Sequence, residues 1–132
     1  MPSGLPVKRG DAIDKTGHAE EMLAAAEFRV DVAREHDAVR VSPVGELDVA
    51  TIAHVREHLG EAMTSGAGRV ILDLRETTFL DSSALHLAVE THDWATRSGA
   101  EFAIIPGPPA VQRAFDVTGL SARLPFVDVP RA

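Results

Sequence analysis

The sequence predicts one α/β domain, in which a mixed and partly parallel sheet packs against helices. Two short runs, residues 70–74 (VILDL) and 102–105 (FAII), are almost wholly apolar, which is typical of strands buried on both faces. Helical periodicity lies before, between and after these runs. Strands that alternate with helices indicate parallel pairing through helical crossovers. The length of 132 residues fits a single domain.

The first predicted element is a hairpin. Apolar and polar residues alternate in residues 28–34, as in a strand with one buried face. Residues 35–37 (EHD) fit a turn, and residues 39–44 continue as a second strand. Pro43 lies in this second strand. Because proline has no N–H to donate, it predicts a sheet edge or a bend there.

Three helices follow, each defined by apolar residues that recur on one face. The first face contains Ile52, Val55, Leu59, Ala62 and Met63. The second contains Leu85, Ala88, Val89, His92 and Ala95, with Leu87 and Trp94 on another side. The third contains Val111, Ala114, Phe115 and Thr118, and Pro109 suits its first position. Glycines end all three helices, and residues 126–129 (FVDV) predict a last short strand.

Residues 1–24 are predicted to form a flexible N-terminal tail, because the first part is rich in glycine, proline and charge. Residues 20–26 (EEMLAAA) fit a short helix. The folded domain is predicted to occupy residues 25–130.

Composition and charge exclude several classes of function. The chain has no cysteine, which excludes disulfides, thiolate chemistry and cysteine-based zinc sites. The net charge of −7 argues against a nucleic-acid-binding protein, which normally has a basic face. No run approaches the roughly 20 apolar residues that span a bilayer, and the N-terminus has no signal-peptide pattern. We therefore expect a cytoplasmic protein that binds neither nucleic acid nor membranes.

The stretch TFLDSSALH, residues 78–86, contains the most informative polar residues. A strand-like run ends at Asp81, the hydroxyls of Ser82 and Ser83 follow, and a helix begins. Asp81 or Ser82 is a natural N-cap, but capping accounts for only one of the three groups. A phosphate on a serine in the first turn would face unpaired N–H groups and the positive end of the helix dipole. It would add about −1.5 to −2 charges near Asp81 and Asp48 without unfolding the domain.

Two catalytic interpretations of the polar residues are weaker. His54 and His58 fit H-x-x-E-H, a zinc-peptidase spacing, but they flank the apolar face of their helix and no third ligand is evident. Ser82 and His86 are one helical turn apart with Asp81 nearby, as a hydrolase triad would need. Asp81 adjoins Ser82, however, and cannot easily orient the imidazole from the far side. We therefore expect no catalytic residue, no metal site and no cofactor.

Three motifs together resemble those of STAS-domain anti-sigma factor antagonists. Residues 78–85 (TFLDSSAL) resemble the family's phosphorylation motif, and residues 45–48 (GELD) resemble its G-E-[LI]-D after the second strand. Residues 113–120 (RAFDVTGL) resemble R-x-F-D-x-[ST]-G-L near the third helix. The motifs keep the family's order and spacing over about residues 28–129. This resemblance implies a four- to five-stranded mixed sheet with helices packed on one side.

The resemblance also implies a function in transcription regulation. Family members bind an anti-sigma factor that is also a serine kinase with a GHKL-type ATP site, and this binding releases a sigma factor. The phosphorylated antagonist cannot bind, and a phosphatase removes the phosphate. By this resemblance Ser82, the first residue after the motif's aspartate, accepts the phosphate. ATP belongs to the kinase and not to this chain.

The partner-binding surface implied by the resemblance consists of Asp48, Asp81, Ser82, Ser83, Ala84 and His86. The family motif usually has G-L-G where this chain has Ala84, Leu85 and His86, and both changes fall on this surface. These changes favour a second interpretation, a STAS scaffold or adaptor that binds without phosphorylation in a signalling or transporter-associated complex. The expected assembly is a monomer or a weak dimer.

Overall fold

The computed structural model describes residues 28–128, and the tail and short helix predicted within residues 1–26 lie outside this range. The strands are β1 (Phe28–Glu35), β2 (Ala38–Leu47), β3 (Arg69–Asp73), β4 (Thr77–Leu80) and β5 (Glu101–Ile105). The helices are α1 (Ile52–Met63), α2 (Ser82–Ser98) and α3 (Pro109–Val117), followed by a short 3₁₀ helix (Leu120–Ala122). Within the described range, no helix has the length and apolar character needed to cross a membrane.

The five strands form one mixed sheet with the order β1-β2-β3-β5. β1 and β2 are the predicted antiparallel hairpin, whereas β2, β3 and β5 run parallel, as helical crossovers require. β4 pairs with the last residues of β2, Gly45 to Leu47, beyond the part that pairs with β3. β3 and β4 therefore lie end to end along β2. The predicted α/β class and the mixed sheet are confirmed.

Pro43 lies inside the sheet, so its interpretation as an edge residue is wrong. β2 has β1 on one side and β3 and β4 on the other. Pro43 falls between Val41, the last β2 residue paired with β3, and Gly45, the first paired with β4. A missing N–H costs little at this change of partner. The Pro43 carbonyl also accepts a hydrogen bond from the buried Thr77 hydroxyl at 3.0 Å.

The helices cover one face of the sheet and share a single hydrophobic core with it. This core contains side chains from β2, β3 and β5 and from all three helices. In β2, Val39 and Val41 are buried, whereas Arg40 and Ser42 point to the opposite face and are half-buried. The one-sided arrangement implied by the resemblance is therefore confirmed.

The buried face of α2 is rotated from the predicted one. The helix buries Ala84, Leu87, Ala88, Thr91 and Ala95. The predicted face members Leu85, Val89 and His92 are only half-buried. Thr91 can be buried because its hydroxyl donates to the Leu87 carbonyl at 2.8 Å, within the same helix. A pattern based on apolar residues did not include Thr91 in the buried face, because threonine is a polar residue.

The strand predicted after α3 is wrong, because the described segment makes only one isolated bridge. Phe126 pairs in parallel with Ile104, through a hydrogen bond from the Ile104 N–H to the Pro125 carbonyl and one from the Val127 N–H to the Ile104 carbonyl. The side chain of Phe126 packs edge-on against Phe115 of α3, with ring centroids 5.0 Å apart. Side-chain packing rather than a strand ladder holds this segment on the domain.

Candidate functional site

The carboxyl ends of β2 and β4 lie side by side, which brings the loops before α1 and α2 together. Leu47 is opposite Leu80, and the Asp81 N–H donates to the Leu47 carbonyl at 3.2 Å. Asp48 follows Leu47 directly, so the two predicted aspartates lie on neighbouring loops. Loops at the carboxyl ends of parallel strands are common positions for binding sites in α/β folds.

Asp81 caps α2 and also binds the loop before α1. Its Oδ1 accepts hydrogen bonds from the Ser83 backbone N–H at 2.9 Å and from the Ser83 hydroxyl. Its Oδ2 accepts a hydrogen bond from the Val49 N–H at 3.3 Å. Of the two N-caps that the sequence allows, the structure selects Asp81 rather than Ser82. One carboxylate thus fixes both the start of α2 and the backbone of the neighbouring loop.

These hydrogen bonds favour the ionised carboxylate. The bond from the Ser83 hydroxyl is the main cause that lowers the pKa of Asp81 below its ordinary value of 3.8. Partial burial acts in the opposite direction, and the backbone N–H groups of Ser83, Val49 and Ala84 lower the pKa further. Asp81 therefore carries a full negative charge at neutral pH.

Asp48 is held in a compact turn with Thr51. The Asp48 Oδ1 accepts a hydrogen bond from the Ala50 N–H at 3.0 Å, and the Asp48 N–H donates to Thr51 Oγ1 at 3.0 Å. The Thr51 hydroxyl in turn donates to the Glu46 carbonyl at 2.9 Å. Because the Asp48 residue is half-buried, part of its surface remains accessible beside Asp81.

The two serines differ in what their side chains do. Ser82 is the first residue of α2 and is exposed to solvent. Ser83 is half-buried, and its hydroxyl donates to the Asp81 carboxylate. The hydroxyl of Ser83 is therefore part of the cap, whereas that of Ser82 is presented at the surface.

Ala84 does not lie on the surface, and the expectation that it presents its side chain to a partner is wrong. It is 4% exposed and packs in the hydrophobic core, because α2 turns this position toward the sheet. His86 is exposed as predicted, one helical turn after Ser82. The accessible part of the predicted surface is thus formed by Asp48, Asp81, Ser82, Ser83 and His86.

Two exposed apolar residues beside this surface escaped the sequence analysis. Val49 lies between Asp48 and α1 and is 78% exposed, and Phe79 in β4 is 50% exposed. Phe79 pairs with Glu46, so it belongs to the same end of the sheet. The exposure of Val49 could have been predicted from the sequence, because this residue directly follows the turn-forming Asp48. Phe79 looked like an ordinary strand residue.

The third motif is mainly structural. Phe115 is 1% exposed in the core, Arg113 is exposed, and Gly119 ends α3 with a φ of 78°, a value that favours glycine. His54 is exposed and His58 half-buried. In the range 28–128, no group of three or more histidine, aspartate or glutamate residues is arranged to hold a metal ion.

A family model described as the STAS domain matches residues 29–130. The chain belongs to the STAS domain family. An anti-sigma F factor antagonist from Paenibacillus polymyxa is 33% identical over 91 residues, which are 68% of this chain and 76% of that protein. The family recognised from the three motifs is thereby confirmed.

Two solved structures share the fold of this STAS domain. An anti-sigma factor antagonist from Mycobacterium paratuberculosis has a TM-score of 0.69 at 23% identity, covering 75% of this chain and 84% of that chain. The phosphorylated form of the Bacillus cell fate determinant SpoIIAA has a TM-score of 0.59 at 20% identity, covering 79% and 92%. At these identities the similarity concerns the fold alone. The roles of Ser82 and its neighbours stay predictions.

Proposed function

We propose that this STAS domain is an anti-sigma factor antagonist whose binding to an anti-sigma factor is switched by phosphorylation of Ser82. Its similarity to a protein named as an antagonist supports the first part. The exposed position of Ser82 at the start of α2 carries the second part. In this proposal the chain is a binding module and not an enzyme. The anti-sigma factor is the serine kinase that binds ATP, and a separate phosphatase resets the switch.

A phosphate fits Ser82 better than Ser83. Ser82 is exposed at the N-terminus of α2, where the helix dipole stabilises negative charge. Ser83 would first have to break its hydrogen bond to Asp81 and then hold a phosphate next to that ionised carboxylate. Repulsion between the two anions, together with the loss of the cap, disfavours modification of Ser83.

The added charge would act on the partner rather than on the fold. Asp48 and Asp81 already make this end of the sheet acidic, and the exposed Val49 and Phe79 offer apolar contact area beside them. A partner surface that fits the unmodified antagonist would meet a new dianion and would have to desolvate it. Binding would therefore fall while the domain stays folded.

The decisive experiment is phosphorylation in vitro by the GHKL-type serine kinases encoded in the same genome, followed by intact-mass spectrometry. We expect one phosphate on the parent chain and on Ser83→Ala, and none on Ser82→Ala. Phosphate on Ser82→Ala but not on Ser83→Ala would contradict the assignment. No phosphate with any kinase, combined with a stable complex that Ser82→Ala leaves unchanged, would favour the scaffold interpretation that His86 also motivates.

Ser82→Asp separates an effect on binding from an effect on folding. Because Ser82 is an exposed residue at a helix N-terminus, a negative charge should change the free energy of unfolding by less than about 0.5 kcal/mol. Binding to the kinase, measured by calorimetry, should fall strongly. A large loss of stability would mean that this position is packed rather than exposed.

A further inference from the structure

The outer edge of β1 is a surface that the proposed function does not use. Among the strands of residues 28–128, β1 pairs only with β2, so the main-chain N–H and C=O groups that point to its other edge meet no strand of this range. The strand is eight residues long, and an edge of this length is a template for pairing with another chain. Val32, in the middle of β1, is 47% exposed. The described helices therefore leave this part of the edge accessible.

The charged side chains of β1 balance one another. Two arginines, Arg29 and Arg34, cancel Asp31 and Glu35, so the strand is neutral although the chain has a net charge of −7. Two copies can therefore approach along this edge without the repulsion that opposes contact between net negative surfaces. The Arg29 and Glu35 side chains are 63% and 50% exposed. Each can meet a second charge besides its partner within the chain, which is Asp31 for Arg29 and Arg40 for Glu35.

We propose that two copies of this chain associate by antiparallel pairing of their β1 edges, which joins two five-stranded sheets into one. A two-fold axis perpendicular to the sheet relates the copies. Residues directly opposite each other then point to the same face of the sheet. Because side chains alternate between faces, this condition allows only registers that are centred on a residue. The proposal concerns an edge other than the Ser82 surface and does not depend on phosphorylation.

The charge pattern selects one of the two long registers. Seven of the eight β1 residues pair in each, residues 28–34 about Asp31 or residues 29–35 about Val32. The first register places the Asp31 carboxylate opposite its own copy, and like charges directly opposite are destabilising. The second places Arg29 opposite Glu35 of the second copy at both ends of the paired segment. It also buries the exposed Val32 against its own copy. We therefore expect the register centred on Val32.

The first test uses single-cysteine variants of the full-length chain, which has no native cysteine. A residue on the two-fold axis faces its own copy with Cα atoms about 4.5–5.5 Å apart, within the range of a disulfide. Under mild oxidation, Val32→Cys should therefore form a covalent dimer several-fold faster than two controls. These are Asp31→Cys, one residue away on the other face, and Val117→Cys, at a valine of α3 that is 74% exposed. Crosslinking of either control at the rate of Val32→Cys or faster would overturn the proposal.

The second test reverses charges and compares the sedimentation of variants alone and mixed. Arg29→Glu should lose dimerisation because it opposes two carboxylates, and Glu35→Arg should lose it because it opposes two guanidinium groups. An equimolar mixture of the two variants should dimerise, because every opposed pair in the mixed dimer again has opposite charges. Circular dichroism checks that each variant is folded. A parent that sediments as a monomer at every concentration would overturn the proposal. Dimerisation of either variant alone, or a monomeric mixture where the parent dimerises, would also overturn it.

Discussion

Replacing Asp81 by alanine should destabilise the domain by about 2 kcal/mol. Loss of a helix N-cap typically costs about 1 kcal/mol. The carboxylate also accepts a hydrogen bond from the Val49 N–H. Losing this charge-assisted bond adds about 1 kcal/mol once solvent screening is allowed for. With a urea m value of about 1.5 kcal/mol/M, the unfolding midpoint should fall by about 1.3 M.

Urea unfolding followed by circular dichroism measures this loss, and Asp81→Asn is the matched control. Asparagine is as good an N-cap as aspartate, but its single acceptor oxygen cannot serve both Ser83 and Val49. Asp81→Asn should therefore lose about half as much stability as Asp81→Ala. If Asp81→Ala unfolds at the same urea concentration as the parent, the conclusion that this carboxylate joins the two loops is refuted.

The same comparison has a predicted pH dependence. The pKa of Asp81 is lowered in the folded state, mainly by the Ser83 hydroxyl. A lowered pKa adds stability that is complete above the unfolded-state value and is lost as the pH falls through the folded-state value. The parent should therefore be more stable than Asp81→Asn at pH 7. This advantage should shrink as the pH drops below 3.8, the ordinary pKa of aspartate.

Three further substitutions test the fold by urea unfolding at neutral pH. Arg75→Met should cost about 2–3 kcal/mol, because Asp73 is buried and Arg75 holds it with bonds as short as 2.7 Å. The control Arg69→Met, at an exposed 4.0 Å pair, should change stability by less than about 0.5 kcal/mol. Phe115→Ala should cost about 4 kcal/mol through a core cavity, because the Phe115 side chain is only 1% exposed. Gly99→Ala should cost about 1 kcal/mol from its φ of 77° alone, since an added Cβ meets nothing within 4 Å.

The sequence was informative where one residue class repeats with one period. The apolar runs predicted β3 and β5, and the alternation at the start predicted the hairpin. The sequence was less informative where a polar side chain is buried because it forms a hydrogen bond within its own helix. Thr91 is buried because it bonds the carbonyl of Leu87, and the predicted face of α2 was rotated for this reason. Pairing of β4 with β2 depends on the change of partner at Pro43, which no local pattern contains.

The candidate site was predicted by motif, but its internal geometry was not. The motifs predicted that Asp48, Asp81 and Ser82 lie close together. The sequence allowed either Asp81 or Ser82 as the N-cap. It could not predict that Ser83 bonds Asp81, because rotamers of adjacent polar residues depend on the backbone at the helix start. Ala84 was placed on the surface because it occupies a position of the motif that the resemblance assigns to partner binding. Its position one turn before Ala88 on the buried face places it in the core.

The position of Asp81 as the N-cap of α2 determines which of the two neighbouring serines is exposed to solvent. Ser82 and Ser83 are equivalent as isolated residues. Because the helix starts after Asp81, the Ser83 hydroxyl is hydrogen-bonded to the Asp81 carboxylate, whereas Ser82 is exposed to solvent. A start one residue later would exchange their roles. The register of the helix therefore determines which serine hydroxyl is accessible to a modifying enzyme, independently of the selectivity of that enzyme's active site.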